Sequence, residues 1–292
     1  MSLAIIANPA AGRGRGRKVA QEVEKMLKDK DVDFEIFYTE GHRHGIELAE
    51  KASRNHEVVA ALGGDGTIGE VLEGIYQSTS ILGIIPGGTG NDYSRGLGLP
   101  RNPKDAVEVL LNGTPTAIDV GVESDKVFGV LASIGFPVTV IKYVNDHRDG
   151  ALKGPAAILA GVAHTLKHLK SYDVKITLDG EVLQRNVLGI MVMNMPYGGG
   201  GLKFAPEARY DDGHFTVVII DKVSKWELAT ALPRVYFGAH TNHHAVTIRT
   251  AKSVHFECEP LPKMFDGDLC SATPLSARIK PLAAKVMLPK TP

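Results

Sequence analysis

Only two cysteines, Cys258 and Cys270, occur in the 292 residues. Neither metal-ligand spacing nor a disulfide framework can be built from them, so both are expected as buried thiols in a reducing cytosol. Long hydrophobic runs are also missing. None approaches the roughly 18 apolar residues of a membrane-spanning helix. The start Met1-Ser2-Leu3-Ala4-Ile5-Ile6-Ala7 is short for a signal-peptide core and is stopped by Asn8-Pro9, so the expected location is cytoplasmic. Charge of one sign is lacking, because Lys plus Arg and Asp plus Glu both total 33. That balance argues against nucleic acid as a partner and against wholesale electrostatic attraction to a membrane. No internal repeat or low-complexity tract stands out. Two nucleotide fingerprints are absent as well: there is no G-x-x-x-x-G-K-[ST], and Gly12, Gly14 and Gly16 miss the G-x-G-x-x-G spacing. Both absences argue against a P-loop enzyme and a dinucleotide dehydrogenase.

What is present begins with Gly63-Gly64-Asp65-Gly66-Thr67, directly behind the apolar run Val58-Val59-Ala60-Ala61-Leu62. A buried strand feeding a glycine turn and then a helix suits a nucleoside triphosphate: backbone N–H groups can approach an anion, and the helix start adds its positive end. Asp65 would repel a bare phosphate, so its presence points to an intervening divalent cation, Mg2+. Thr67 and Glu70 have capping-box spacing, and a cap or a direct ligand role fits both equally. A second loop, Pro86-Gly87-Gly88-Thr89-Gly90-Asn91-Asp92, follows the apolar run from Ile81 to Ile85, and a third, Asn8-Pro9-Ala10-Ala11-Gly12, follows Leu3 to Ala7. Ligands collect outside the carboxyl ends of strands in open α/β sheets, so these loops are expected to share one crevice.

Short apolar runs alternate with amphipathic ones up to about residue 115. Helices are expected over Arg17–Lys28, Gly45–Ser53 and Thr67–Tyr76, and after Pro103, with a strand at Phe34–Tyr38. Such alternation predicts a doubly wound, parallel α/β domain. From Thr116 the pattern becomes one of many short strands, with Asp179-Gly180 as a hairpin turn. This half is expected as a β-sandwich-like domain over 116–279, with a strand near 280–292 returning to the first domain. Inserted helices are expected over Gly150–Leu169, with a stripe of Leu152, Leu159, Val162, Leu166 and Leu169, and from Ser224. The first stripe fits core packing better than a membrane anchor, although Lys153, Lys167, His168 and Lys170 accompany it.

In order along the chain, Asn8-Pro9-x-x-Gly12, Gly63-Gly64-Asp65-Gly66-Thr67-x-x-Glu70 and Pro86-x-Gly88-Thr89-x-Asn91-Asp92-x-x-Arg95, ending at Leu97-Gly98-Leu99-Pro100, resemble the diacylglycerol kinase catalytic domain family. That family includes soluble bacterial diacylglycerol kinases and sphingosine and ceramide kinases; the G-G-D-G-T element alone is shared with NAD kinases. The resemblance implies an NAD kinase/diacylglycerol kinase-like fold and an ATP-dependent transferase of phospholipid biosynthesis, phosphorylating the hydroxyl of diacylglycerol or a related lipid. Its nucleotide contacts map onto Asn8, Pro9, Ala10, Ala11, Gly12, Thr39, Gly64, Asp65, Gly66, Thr67, Ile68, Gly69, Glu70 and Thr89. Asp65 would orient Mg2+ through water, and Asp266 in Phe265-Asp266-Gly267-Asp268 would be the general base, acting from across an interdomain cleft. The family motif here is D-G-E; this chain has D-G-D, and an Asp-Gly pair is also an ordinary hairpin turn. Asp212 matches a carboxylate of a structural Mg2+ site, although Arg209 replaces an acidic ligand of some members and a polar turn is the competing reading. Tyr197-Gly198-Gly199-Gly200-Gly201-Leu202 fits either the rim of a lipid cleft or a long turn, and His240 to His244 reads as a solvated loop rather than a metal cluster. Arg13, Arg15, Arg17 and Lys18 fit either phosphate attraction or a solvated helix start. The implied partner is a lipid at the membrane surface, met by transient peripheral contact, with a homodimer left open. An NAD kinase-like enzyme and a non-catalytic nucleotide-binding regulator are the alternatives.

Overall fold

The computed structural model describes residues 2–147 and 155–290. Two compact units emerge: unit 1 comprises Met1–Val120, Lys126–Gly129 and Lys280–Pro292, and unit 2 comprises Gly121–Asp125 and Val130–Ile279. The first crossing falls inside the strand β5 (Thr114–Glu123).

Unit 1 runs β1 (Leu3–Ala7), α1 (Ala11–Gly14), α2 (Gly16–Asp29), β2 (Phe34–Tyr38), α3 (His44–Ser53), β3 (Val58–Gly63), α4 (Asp65–Ile75), β4 (Ile81–Pro86), α5 (Asp92–Gly96), α6 (Pro103–Asn112), the start of β5 (Thr114–Glu123) and β6 (Lys126–Phe128). Strands β4, β3, β1 and β2 lie parallel in that order. Their core is continuous apolar sequence, as expected of strands buried on both faces. One face, Leu3, Ile5, Val58, Ala60, Leu62, Ile81 and Ile85, packs against Ala20, Val23 and Leu27 of α2 and Val107 and Leu110 of α6. Helices α3 and α4 pair over the other face. Asn102 caps α6 by accepting from Lys104 N (3.0 Å), with Pro103 in its first turn.

Unit 2 runs β7 (Leu131–Gly135), α7 (Phe136–Asp146), α8 (Pro155–Lys167), β8 (Tyr172–Leu178), β9 (Glu181–Met193), β10 (Phe215–Asp221), α9 (Lys225–Val235), β11 (Val246–Ala251), β12 (Ser253–Glu257), β13 (Pro262–Phe265), β14 (Asp268–Ala272) and the first part of β15 (Leu275–Leu288). The long strand β9 pairs with β8 through its first half and with β7 and β10 through its second, always antiparallel. Asp179 and Gly180, both at positive φ, make the two-residue hairpin between β8 and β9. The Asp179 carboxylate accepts from Lys252 N, Ser253 N and Ser253 Oγ.

Helix α7 forms where no element was expected from the sequence. Phe136-Pro137-Val138-Thr139-Val140-Ile141 carries β-branched residues that favour a strand, yet Gly135 at φ 78° breaks the extended chain and a proline occupies the first turn. The stripe on α8 is also corrected. Ile158, Val162, Leu166 and the following Leu169 pack with Phe136, Val140, Leu188 and Leu228, whereas Leu159 is 70% exposed. Leu152 and Lys153 lie outside the described residues. Among those described, no helix is long and apolar enough to cross a membrane.

Close packing of α3 on α4 depends on Gly74, where an added Cβ would press on the Ile46 carbonyl and meet Ala49 Cβ at 2.8 Å. Gly74→Ala gains helix propensity but overpacks this contact, and a net loss of about 1–3 kcal/mol is expected. Urea denaturation followed by circular dichroism measures it; an equal or higher midpoint would show that the two helices can separate without cost.

Candidate active site

Parallel register puts the carboxyl ends of the four unit 1 strands at one level. Ala7 pairs with Tyr38 on one side and Leu62 on the other, and Gly63 pairs with Pro86. Residues 8–12, Thr39, 63–67 and 87–91 therefore leave the sheet together. Gly87 N–H donates to the Gly63 carbonyl (2.7 Å), and a Cβ on Gly12 would overlap the Gly87 carbonyl. A Cβ on Gly88 would meet Gly64 Cα at 2.5 Å. The three loops thus touch backbone to backbone, and Gly12, at φ 58°, also needs its glycine for conformation.

Side chains tighten this cluster. Asn8 Nδ2 donates to Thr67 Oγ (3.1 Å), while Asn8 Oδ1 accepts from Ala10 N (3.0 Å). Asp65 opens α4, where a carboxylate is favoured by the helix dipole, and its Oδ1 accepts from Tyr93 N (3.1 Å). Tyr93, fully buried, accepts from Gly129 N through its hydroxyl oxygen (3.2 Å). Arg95 Nε donates to the Gly90 carbonyl (3.2 Å) and shapes the loop that carries the exposed Thr89. Ile68 is buried and Gly69 half-buried on α4, with Pro9 and Ala11 half-buried and Ala10 exposed on the first loop. Thr39, also buried, donates its N–H to the Ala7 carbonyl (2.9 Å).

Glu70 has a different place. Its carboxylate accepts from Arg43 N (2.8 Å) and Gly45 N (3.0 Å), holding the first turn of α3. The helix α4 begins at Asp65 with Gly64 as its cap, so Thr67 and Glu70 do not form a capping box. Gly66 faces open space, with nothing within 4 Å of an added Cβ. Arg15 and Arg17 are exposed, and Arg15 Nε bonds the Gly12 carbonyl (3.1 Å).

In unit 2, Asp266 and Gly267 are the positive-φ tip of the β13–β14 hairpin. Asp266 Oδ1 accepts from Val130 N (2.9 Å) and Leu131 N (2.8 Å), and Asp266 N donates to the Leu131 carbonyl (2.9 Å). Met264 of this hairpin and Leu131 also line an apolar cavity that is partly open to solvent. Its remaining wall comes from Phe136 and Val140 of α7, Ile158 and Val162 of α8, and Leu228, Leu232 and Val235 of α9. Gly199 and Leu202 of the glycine run contribute too. His240 is buried in the wall rather than solvated; its Nε2 bonds the Phe204 carbonyl (3.0 Å), and burial pushes its imidazole below its ordinary value, so it is neutral at pH 7.

These loops and this cavity sit within recognisable sequence relationships. Residues 2–122 match the diacylglycerol kinase catalytic domain, and residues 130–288 match the YegS C-terminal NAD kinase beta sandwich-like domain. A diacylglycerol kinase of Mycobacterium tuberculosis (strain CDC 1551 / Oshkosh) is 32% identical over 98% of this chain and 94% of its own. The chain belongs to the diacylglycerol kinase family. Another diacylglycerol kinase, from Staphylococcus saprophyticus, is 32% identical over 86% of this chain and 83% of its own. The crystal structure of a diacylglycerol kinase from Bacillus anthracis str. Sterne shares the fold with a TM-score of 0.80 at 24% identity, covering 99% of this chain and 97% of its own.

The Asp212 position does not have the donor set expected of a bound Mg2+. Asp212 is exposed, its Oδ1 accepts from His214 N (3.0 Å) in a two-residue turn, and beside it Arg209 pairs with Asp211 (3.1 Å). Among the described residues, one group of three potential ligands lies close together, Glu227, His243 and His244. There His243 Nδ1 accepts from Ala245 N (3.3 Å), which places the ring proton on Nε2, facing Glu227, where a metal would need the lone pair.

Gly66 separates a packing requirement from a ligand requirement. With no neighbour to overlap, Gly66→Ala should leave stability unchanged or raise it by up to about 1 kcal/mol. If phosphates occupy the open space, the same change should weaken MgATP binding at least about tenfold, or 1.4 kcal/mol. Thermal melts and calorimetry on one preparation test both halves, and unchanged affinity would remove Gly66 from the nucleotide site.

Proposed function

We propose that this chain, an ATP-dependent lipid kinase, transfers the γ-phosphoryl group to the hydroxyl of diacylglycerol or a related lipid. The observation that carries the substrate class is the apolar cavity of unit 2 adjoining the Asp266 hairpin. A wall built from α7, α8 and α9 side chains suits acyl chains, and its one histidine is neutral. An NAD kinase-like acceptor, with its charged pyrophosphate, has no counterpart for that charge in such a wall.

ATP binds on the unit 1 loops, where the backbone N–H groups at the start of α4 and the open space at Gly66 accommodate phosphates. Asp65, beside that space, is the residue suited to Mg2+, which when bound neutralises charge on the phosphate oxygens. Asp266 orients the acceptor hydroxyl and takes its proton as the hydroxyl oxygen bonds to the γ-phosphorus and the bond to the ADP oxygen breaks. Asp212 takes no part.

Asp266→Asn preserves the acceptor oxygen for Val130 and Leu131 and tolerates the positive φ, so the fold should persist. Lipid phosphorylation should fall about a hundred- to ten-thousandfold, with MgATP affinity within a few-fold of the parent. Asp65→Asn should lose at least about a hundredfold, or 2.7 kcal/mol, and alter the Mg2+ requirement. A lipid-panel assay with product identification by mass spectrometry, paired with calorimetry, checks both. Normal turnover by Asp266→Asn, or absence of any phosphorylated lipid with the parent, would overturn the proposal.

A further inference from the structure

Helix α9 is apolar on two sides. Leu228, Leu232 and Val235 face the cavity, as described above. On the opposite side, Trp226, Thr230, Pro233 and Phe237 recur at helical spacing over three turns, about 16 Å at ~1.5 Å per residue. Tyr236 keeps helical dihedrals beyond the last residue of α9, so the stripe continues to Phe237. Trp226 is 75% exposed, Tyr236 61% and Phe237 78%, and the two rings of Tyr236 and Phe237 pack edge to face. Large aromatic side chains left in water to this extent mark an interaction surface.

Charge identifies the partner. The exposed cations on the helix are Lys225, whose ammonium lies 5.8 Å from the Trp226 ring, and Arg234. The helix's one carboxylate, Glu227, is turned to His243 (3.6 Å) and His244 (3.1 Å). An uncharged aromatic stripe flanked by cations matches the boundary of an anionic bilayer, where Trp and Tyr rings settle at headgroup depth. A second copy of the chain fits less well, because a two-fold contact sets the same patch against itself and brings the cations of one copy, Lys225 and Arg234, toward those of the other.

We infer that the outer face of α9 docks this protein on an anionic lipid surface, with Trp226 and Phe237 inserted at the headgroup boundary. The inference deepens the lipid-kinase reading: the same helix then contacts the bilayer on one face and the acyl cavity on the other.

Trp226 is the only tryptophan of the chain, so the unaltered protein carries its own reporter. Vesicles of phosphatidylcholine and phosphatidylglycerol, free of diacylglycerol, should shift its emission to the blue, and lipids brominated on the acyl chain should quench it. Trp226→Ala/Phe237→Ala should sediment with these vesicles at least about tenfold less well. Its rate on a short-chain diacylglycerol presented as a monomer in solution should match the parent, since neither residue lines the cavity. Absence of vesicle binding overturns the inference, as does binding with Trp226 emission unmoved. An emission shift that follows protein concentration without vesicles, together with a dimer in sedimentation that the double variant loses, would assign the face to a second copy and also overturn it. A parent that binds vesicles through Trp226 yet phosphorylates no lipid would uphold the docking face and overturn the kinase reading instead.

Discussion

Backbone contact among three glycine loops is the constraint on which the unit 1 site rests. Parallel register delivers the loops to one level, but it does not bring them into touch. The Gly87 N–H to Gly63 carbonyl bond, the approach of Gly88 to Gly64 and the seat of Gly12 against Gly87 do that. A Cβ at Gly12 or Gly88 would force the strands' ends apart before any ligand arrived. Asp65 is part of the same clamp, since its carboxylate accepts from Tyr93 and fixes the start of α5 to the start of α4. A carboxylate already held by a backbone donor loses little further freedom when it meets a cation, which is how preorganisation lowers the cost of binding.

The hairpin of unit 2 applies the same economy to Asp266. Its backbone N–H, and the two N–H groups that its Oδ1 accepts, all connect it to residues 130 and 131. The direction of the carboxylate is therefore set by strand pairing between β13 and β7 rather than by rotamer preference. Phosphoryl transfer through a loose transition state asks more of positioning than of base strength, because little charge develops on the attacking oxygen. An aspartate pinned in this manner suits that demand.

Much of unit 1 was legible because each element has a local signature. Strands buried on both faces read as continuous apolar runs, helices as 3.6-residue periodicity, and the loops as glycine motifs in a fixed order. The role of Glu70 was not legible. It depends on Arg43 and Gly45, which are distant in sequence, and its spacing from Thr67 imitated a cap. In unit 2 helix α7 was not legible either, because its β-branched residues disfavour a helix locally and packing against β9 decides the outcome. Helix α8 shows the limit of stripe counting: exchanging Leu159 for Ile158 turns the buried face by one residue, a change within the tolerance of any apolar pattern. The cavity itself was invisible, since its walls come from three helices and several strands. His240 belongs to it despite sitting in a histidine-rich stretch that reads as polar.

A chain of zero formal charge has no net charge to draw it toward a membrane. At physiological ionic strength fields decay over about 8 Å, so only charges adjacent to the contact act on it. Local arrangement must then supply what composition does not. On α9 the two exposed cations stand beside the aromatic stripe, while Glu227 is engaged by His243 and His244. Most of the docking energy on this reading comes from aromatic area leaving water, at roughly 25 cal/mol per Å², with Lys225 and Arg234 adding about 1 kcal/mol each near an anionic surface. Such a sum permits attachment that is reversible, and reversibility suits an enzyme that must find its acceptor in a membrane and its nucleotide in solution.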